Sequence, residues 1–398
     1  MTSKLNKEEK ELTGKSVPRK KGLEGIYERQ EFIENLDKKI DWLKKDFYPD
    51  EMVRGNIENY LGTAKIPVGI AGPLLINGDH AQGEFYIPLA TTEGSLVASY
   101  NRGMTVIKKS GGCKVKIFED GMHRAPMFRF SSLTEAEKFT KWLKNNIDIM
   151  KEAASKTTSH GRLDDIDIYN LGRTVYVRFG FFTADAAGMN MVNLASYAIC
   201  KKIQSTYPHW NAVESFHLAS KFCSDKKYSQ INVLKGRGKK VTAEVEINKE
   251  VLENLLRTTP ERINSSFIDG TLSGMYCGAT SNGFHAANGL TALFIACGQD
   301  VANIAECHAD IWDIRLTDDG VYFAITLPSL IVGTVGGGTN LPTQKECLNI
   351  LGCKGTDKSL KFAEIVASVV LAGEISLVGA ITSEEWVTAH EKYGRNKE

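Results

Sequence analysis

The sequence of 398 residues has almost no excess of either charge: 49 Lys and Arg stand against 48 Asp and Glu. That balance excludes the basic field on which bulk nucleic-acid binding depends. Cysteine is present but unorganised. Eight are scattered along the chain without a CxxC pair or the Cys/His spacing of a zinc site, so no metal site is expected. No apolar run is long enough to span a bilayer, and the charged start does not make a signal peptide. Both common nucleotide fingerprints are missing as well. GRGK, Gly236 to Lys239, lacks the rest of a P-loop and reads as a hairpin turn. Around GTVGGGTN the glycines Gly333, Gly336, Gly337 and Gly338 do not follow GxGxxG, and no strand-to-helix Rossmann unit surrounds them. What remains is a soluble protein of a reducing, cytoplasmic compartment, with no membrane or nucleic-acid partner. Cys200 and Cys297 are expected to be small buried thiols.

The stretch GFHAANGLTALFIACGQDVANI, Gly283 to Ile304, is what the chain does have. Ala286, Ala287, Leu290, Ala292, Leu293, Phe294, Ile295, Ala296 and Val301 leave no polar stripe at the helical period, which predicts a helix inside a core. Asp300 near its end needs a cationic partner or a proton if it is buried. The plain structural alternative is that Gly298 breaks the helix and Asp300 caps the next one. Ahead of it, residues 1 to about 21 are charged and expected to be disordered. Phe32, Leu36, Ile40, Leu43 and Phe47 predict one amphipathic helix from Tyr27, stopped by Pro49. TTEGSLVASYNRG predicts a helix start capped by Thr91 or Thr92, with Glu93 in its first turn, where a carboxylate also complements the dipole.

The texture changes after Arg124. Thr134 with Glu137 reads as a capping box opening a helix with Phe139, Trp142, Leu143, Ile147 and Met150 on one face. TVYVRFGFF, Thr174 to Phe182, alternates like a half-buried strand. The turn at Asp185 to Gly188 then leads into another helix and offers backbone N–H groups suited to an anion. Strand, turn and helix in under about a hundred residues suggest a small α+β domain inserted into a larger one. Val241, Ala243, Val245 and Ile247 alternate as a further strand. Asp225, Lys226 and Lys227 form a cationic cluster that could equally be three solvated loop charges. A long apolar helix from about Leu360 to Ala380 precedes a polar tail holding His390.

Taken in order, TTEG, DAAGMNM, DKK, GQD, GTVGGGTN and LAGE with a terminal His resemble the 3-hydroxy-3-methylglutaryl-CoA (HMG-CoA) reductase family. The resemblance runs from about Glu58 to Arg395 and looks like the class I branch without its membrane-anchoring segment. It implies two-step reduction of HMG-CoA to mevalonate and CoA with NADPH, NADH being the other possible cofactor. It also implies a homodimer or larger homo-oligomer with active sites between subunits. The implied fold is α+β, with a large HMG-CoA-binding domain built around the buried central helix (50–125 and 218–398). An inserted small ferredoxin-like domain (126–217) would bind the dinucleotide, and a helical N-terminal domain (1–49) would precede both.

Residue by residue, the resemblance makes Glu93, Lys226, Asp300 and His390 catalytic. Lys226 would hold the oxyanion, and His390 would protonate the departing thiolate. Glu93 would protonate the alkoxide, while Asp300 would be the buried carboxylate between Glu93 and Lys226. Asn59, Ser99, Asn101 and Arg102 match CoA contacts; Arg124, Asp225 and Lys227 match contacts around the HMG carboxylate. Asp185, Met189, Asn190, Val335, Gly336 and Gly337 match the dinucleotide site. Several positions depart from the family pattern: Ala184 and Ala187 around Asp185, Ala219 to Lys221 before the lysine loop, Gly283 and Phe284 before His285, and Ser159 where relatives carry arginine. An active reductase and a diverged paralogue that binds acyl-CoA without turnover, or reduces another acyl-CoA, both fit this pattern.

Overall fold

Thr174–Phe182 is a strand because its odd positions are apolar: Val175, Val177, Phe179 and Phe181 are at most 1% exposed, as period-two alternation demands. Arg178 on its other face is buried as well. The strand therefore lies between two packed layers and is not half in water.

The computed structural model describes residues 16–36, 38–158, 161–279 and 281–383. Its strands are β1 Val68–Gly78, β2 Gln82–Ala90, β3 Cys113–Arg124, β4 Met127–Phe130, β5 Arg162–Leu171, β6 Thr174–Phe182, β7 Val213–His217, β8 Gly238–Asn248, β9 Ile311–Leu316 and β10 Gly320–Leu330. They join in one sheet of order β7-β4-β6-β3-β8-β10-β9, with β1 attached to β3, β2 to β1 and β5 to β6. Every pairing is antiparallel except β1 with β3. The principal helices are α1 Gly22–Glu34, α2 Leu96–Lys109, α3 Leu133–Asn145, α4 Ile147–Ser155, α5 Met189–Thr206, α6 Gln230–Lys235, α7 Pro260–Cys277, α8 Ala286–Ala296, α9 Pro342–Ile350 and α10 Ser359–Thr382. The fold is mixed α/β with a mainly antiparallel sheet.

Strand β3 links the two halves of that sheet. Its body pairs with β1 and β8, while Met122 to Arg124 at its end pair with Phe181 to Phe179 of β6. Arg124 is thereby delivered to the junction. Beyond it the chain runs β4, α3, α4, β5, β6, α5, β7, in spatial order β7-β4-β6-β5.

The central helix is not the one expected. Twenty of the 24 residues of α10 are buried, against seven of the 11 in α8. Helix α8 is short and leaves Ala287 exposed. By length and composition α10 could cross a membrane, which corrects the reading that no run is long enough, but 89% of its most apolar window is buried in the fold. Glu364 and Glu374 interrupt the run in sequence, and both are fully buried. Glu364 accepts the N–H groups of Asp79, His80 and Ala81 at 3.2, 2.8 and 2.6 Å, holding the β1–β2 turn. Glu374 accepts those of Phe284 and His285 at 3.2 and 2.6 Å, holding the start of α8. Buried carboxylates survive in an apolar helix because backbone donors take the place of water.

Other local expectations change. The N-terminal apolar period does not make one helix: α1 ends at Glu34, a second short helix spans Asp41–Lys45, and the buried side chains of α1 include Ile26, Arg29 and Gln30. Residues 18 to 20 are held in place, since Arg29 donates to the carbonyls of Pro18 and Lys20 at 3.3 and 2.8 Å. The first fifteen residues lie outside the described set. Ser132, not Thr134, caps α3 by accepting from the Glu135 N–H at 3.2 Å, and the predicted long helix breaks at Asn146. GRGK is no hairpin: it joins α6 to β8, and its Arg237 is completely buried. Cys200 and Cys297 are buried, and all eight cysteines are free thiols.

Candidate active site

The lysine loop bends through two left-handed non-glycine residues, Ser224 at φ 50° and Lys226 at φ 56°. Such a conformation costs roughly 1–2 kcal/mol per residue, so something must hold it. Glu306 does. Its Oε1 accepts the Lys226 N–H at 2.6 Å and the Arg237 Nη1 at 2.5 Å, and its Oε2 accepts from Asn232 Nδ2 at 2.8 Å. Burial pushes the Glu306 carboxyl above its ordinary range, with Arg237 and the Lys226 N–H opposing. Arg237 extends the network by donating Nη2 to Asp225 Oδ1 at 3.1 Å. Arg124, 6% exposed at the end of β3, donates Nη1 to Asp225 Oδ2 at 3.3 Å.

On this base the Lys226 ammonium reaches Asp300, with Nζ 2.8 Å from Oδ2. Both side chains are well exposed, at 42% and 37%, so Asp300 is not the buried carboxylate expected. It also caps: its Oδ1 accepts the Ala302 N–H at 3.1 Å, following Gly298 at φ +67°. Asp300 thus caps and pairs with a cation, exposed rather than buried. An exposed pair adds only about 0–1 kcal/mol, so its consequence is to aim an ammonium. Lys227 turns back, its Nζ donating to the Asp225 carbonyl at 2.7 Å. Asp225 and Lys226 are therefore not free solvated charges.

Glu93 lies ahead of α2 and outside its first turn. Its N–H donates to Thr91 Oγ1 at 2.9 Å, and its exposed side chain makes no ion pair with Lys226 among the described residues. Of the CoA candidates, Ser99 and Arg102 converge on Ser376 of α10, Oγ to Oγ at 3.0 Å and Nη2 to carbonyl at 2.7 Å. Asn101 Oδ1 accepts the Gly72 N–H at 2.9 Å. Asn59 is exposed at φ 51°. His390 and Ser159 lie outside the described residues.

The dinucleotide candidates gather where three loops interlock. Asp185 accepts the N–H groups of Asp357, Lys358 and Ser359 at 2.8, 3.1 and 3.0 Å, capping α10. Burial alone would raise its carboxyl, but these bonds hold it below the ordinary range. The carboxylate is thus engaged, and the turn's donors are not its whole function. The Asp185 carbonyl accepts the Thr334 N–H at 2.9 Å. At Gly333 a Cβ would meet Ala187 N at 2.7 Å, so only glycine lets these loops touch. Gly298 and Gly338 abut in the same way, a Cβ on Gly298 meeting Gly338 O at 2.4 Å. Gly336 and Gly337 instead face open space at φ +77° and +52°. Val335 is half-buried beside them, and Met189 and the exposed Asn190 open α5.

Sequence reading missed Arg237, Glu306 and Asn232, which set the lysine loop. A charge flanked by two glycines was the available signal for Arg237; Glu306, in a short mixed segment, left none. His285 was noted without a role. Its ring stacks on Tyr100 with centroids 4.9 Å apart, and burial lowers it to about 4.

A family model for hydroxymethylglutaryl-coenzyme A reductase matches residues 25–395. A 3-hydroxy-3-methylglutaryl-coenzyme A reductase of Methanocaldococcus jannaschii is 46% identical over 86% of this chain and 85% of its own length. The enzyme of the same name from Aeropyrum pernix is 45% identical over 87% and 83%. Among solved structures, the class II 3-hydroxy-3-methylglutaryl-CoA reductase of Streptococcus pneumoniae bound to NADPH shares the fold with a TM-score of 0.65 at 19% identity, over 94% of this chain and 99% of that one. With its lysine, aspartate and glycine loops brought together, the chain belongs to the hydroxymethylglutaryl-coenzyme A reductase family.

Proposed function

We propose that this protein is an NADPH-dependent HMG-CoA reductase that forms mevalonate and CoA in isoprenoid synthesis. The observation that carries the reading is the Lys226–Asp300 pair at 2.8 Å, raised on a buried network that also orients Asp225 and Arg124. Hydride attack on a thioester puts negative charge on its oxygen, and a pre-aimed ammonium stabilises that charge without reorganising. Lys226 takes that part, with Asp300 aiming it. Arg124, Asp225 and Lys227 bind the HMG carboxylate end, and Asn59, Ser99, Asn101 and Arg102 the CoA. Glu93 delivers a proton to the alkoxide. His390 protonates the thiolate, a role resting on the family resemblance alone.

Each reduced nicotinamide would supply one hydride when bound, so two cofactor molecules would serve in succession. Asp185, Met189, Asn190, Val335, Gly336 and Gly337 are the residues that would hold the dinucleotide. The fit is supported by the open backbone at Gly336 and Gly337, where no side chain blocks a phosphate. NADH is the alternative cofactor, since Ser159 lacks the charge of the arginine in relatives.

Residues 126–217 are read as the inserted ferredoxin-like cofactor domain, between the halves 50–125 and 218–398 of the HMG-CoA domain and after a small helical domain at 1–49. The succession from β4 to β7, which is β-α-β-β-α-β once the broken pair α3 and α4 is taken as one helical segment, supports this. The subtype is read as class I-like on the order of the motifs from TTEG to the terminal His. A homodimer completing its sites between subunits is the reading for assembly, supported by the exposed apolar residues Ile268, Leu272, Met275 and Tyr276 on α7. Eight unpaired thiols support the reducing cytoplasm.

The test mixes protein, HMG-CoA and NADPH and follows nicotinamide absorbance together with mevalonate. Two NADPH consumed per mevalonate is the expected result. Tight HMG-CoA binding without NADPH oxidation would instead favour the non-catalytic paralogue.

A further inference from the structure

We infer that Lys354 anchors a phosphate group of the nicotinamide dinucleotide above the Gly336–Gly337 turn. The inference rests on the proposed cofactor site and names the cation within it. Lys354 stands on the loop between α9 and α10, which is tied twice to the glycine loop. The Gly355 N–H donates to the Thr334 carbonyl at 3.3 Å, and Thr334 Oγ1 donates to the Gly355 carbonyl at 2.7 Å. The side chain is therefore delivered to a fixed place. Its Nζ lies 3.0 Å from the Thr339 carbonyl, 3.4 Å from Thr339 Oγ1 and 2.7 Å from Asn340 Oδ1. All three are neutral oxygens of the Gly337–Asn340 turn. Thr339 Oγ1 in turn donates to the Gly336 carbonyl at 2.7 Å, so the ammonium stands two hydrogen bonds from the open glycines.

Charge makes the case for an anion. Lys354 has no carboxylate in ion-pair contact among the described residues, and the nearby carboxylate of Asp185 is spent on three backbone N–H groups. Partial burial and then Lys345 push the Lys354 ammonium below its ordinary range. A cation so placed gains from any anion that reaches it. The turn supplies the rest of a receptor: Gly336 and Gly337 have left-handed φ values, nothing would crowd a Cβ on either, and neither N–H donates to a loop or turn carbonyl of the described residues. Successive free N–H groups in such a turn form an anion-binding concavity. A phosphate offers both the charge and several acceptor oxygens.

The experiment titrates NADPH and NADH into the wild-type protein, Lys354→Gln and Lys354→Arg, reading nicotinamide fluorescence. Lys354→Gln should weaken NADPH by about ten- to a hundredfold, the worth of one hydrogen bond to a charged group, and Lys354→Arg should recover most of it. Loss with NADPH alone assigns the 2′-phosphate; equal loss with NADH assigns the pyrophosphate; both support the inference. Because Lys354 also braces its turn, a second measurement uses the unaltered chain: saturating NADPH should shield Lys354 from an amine-acylating reagent, read by mass spectrometry. Unchanged affinity in a folded Gln variant, or unchanged acylation under NADPH, overturns the inference. Failure of the wild-type protein to bind either cofactor would overturn the proposed function itself.

Discussion

The lysine loop and the glycine loop solve opposite problems. Ser224 to Lys227 must present charged side chains from a strained backbone, and the solution is buried charge: Glu306 and Arg237, both at most 1% exposed, grip the Lys226 N–H and the Asp225 carboxylate. Gly333 to Asn340 must present backbone, and the solution is missing side chains, with Gly333 pressed on the Asp185 turn and Gly336 and Gly337 left open. Helix α8 connects them, since Gly298 beyond its end abuts Gly338 while Asp300 meets Lys226. The first loop is vulnerable to subtraction and the second to addition.

Subtraction beneath the lysine loop should have the largest effect. Glu306→Ala leaves buried Arg237 with Asp225 as its remaining carboxylate partner, and breaking a buried pair costs about 3–5 kcal/mol. Denaturant unfolding should show that loss, and a variant within 1 kcal/mol of wild type would mean the pair does not support the loop. Subtraction at the tip should separate activity from stability. Lys226→Met should lower turnover by about a hundred- to a thousandfold yet shift unfolding by no more than about 1 kcal/mol. Near-normal turnover would take Lys226 out of the chemistry.

A perturbation of the shared helix should act on both loops together. His285 precedes α8, and burial holds its imidazole near 4, against about 6.5 in the unfolded chain. The unfolded state takes up the proton first as pH falls. Its stability contribution is therefore complete above pH 6.5 and is lost toward pH 4, by up to about 3 kcal/mol. His285→Gln should flatten that acid limb, and an identical limb in both proteins would assign the loss elsewhere. The smallest effect is expected from addition at the second loop. Gly333→Ala drives a methyl into Ala187 N, an overpacking worth about 1–3 kcal/mol, and should weaken NADPH while leaving HMG-CoA binding intact. Equal weakening of both ligands would erase the distinction between the loops.

Much of this was legible in sequence wherever local pattern decides structure. The alternations of Val175 to Phe181 and Val241 to Ile247 became buried strand faces, and the apolar run near Leu360 became α10, because side-chain period and backbone geometry are the same information. The order of polar motifs identified the family and put Lys226 beside Asp300. Sequence alone misjudged what depends on distant neighbours. Whether Asp300 is buried, which of two apolar helices is central, and that α1 stops at Glu34 are all set by packing. Arg237 and Glu306 are 69 residues apart and meet only because β8 and the segment after α8 are folded together. A local pattern carries no information about a partner that far along the chain, and a buried charge is tolerable only with that partner in place. The tertiary structure therefore decided what holds the lysine loop, and the sequence by itself had decided which lysine is held.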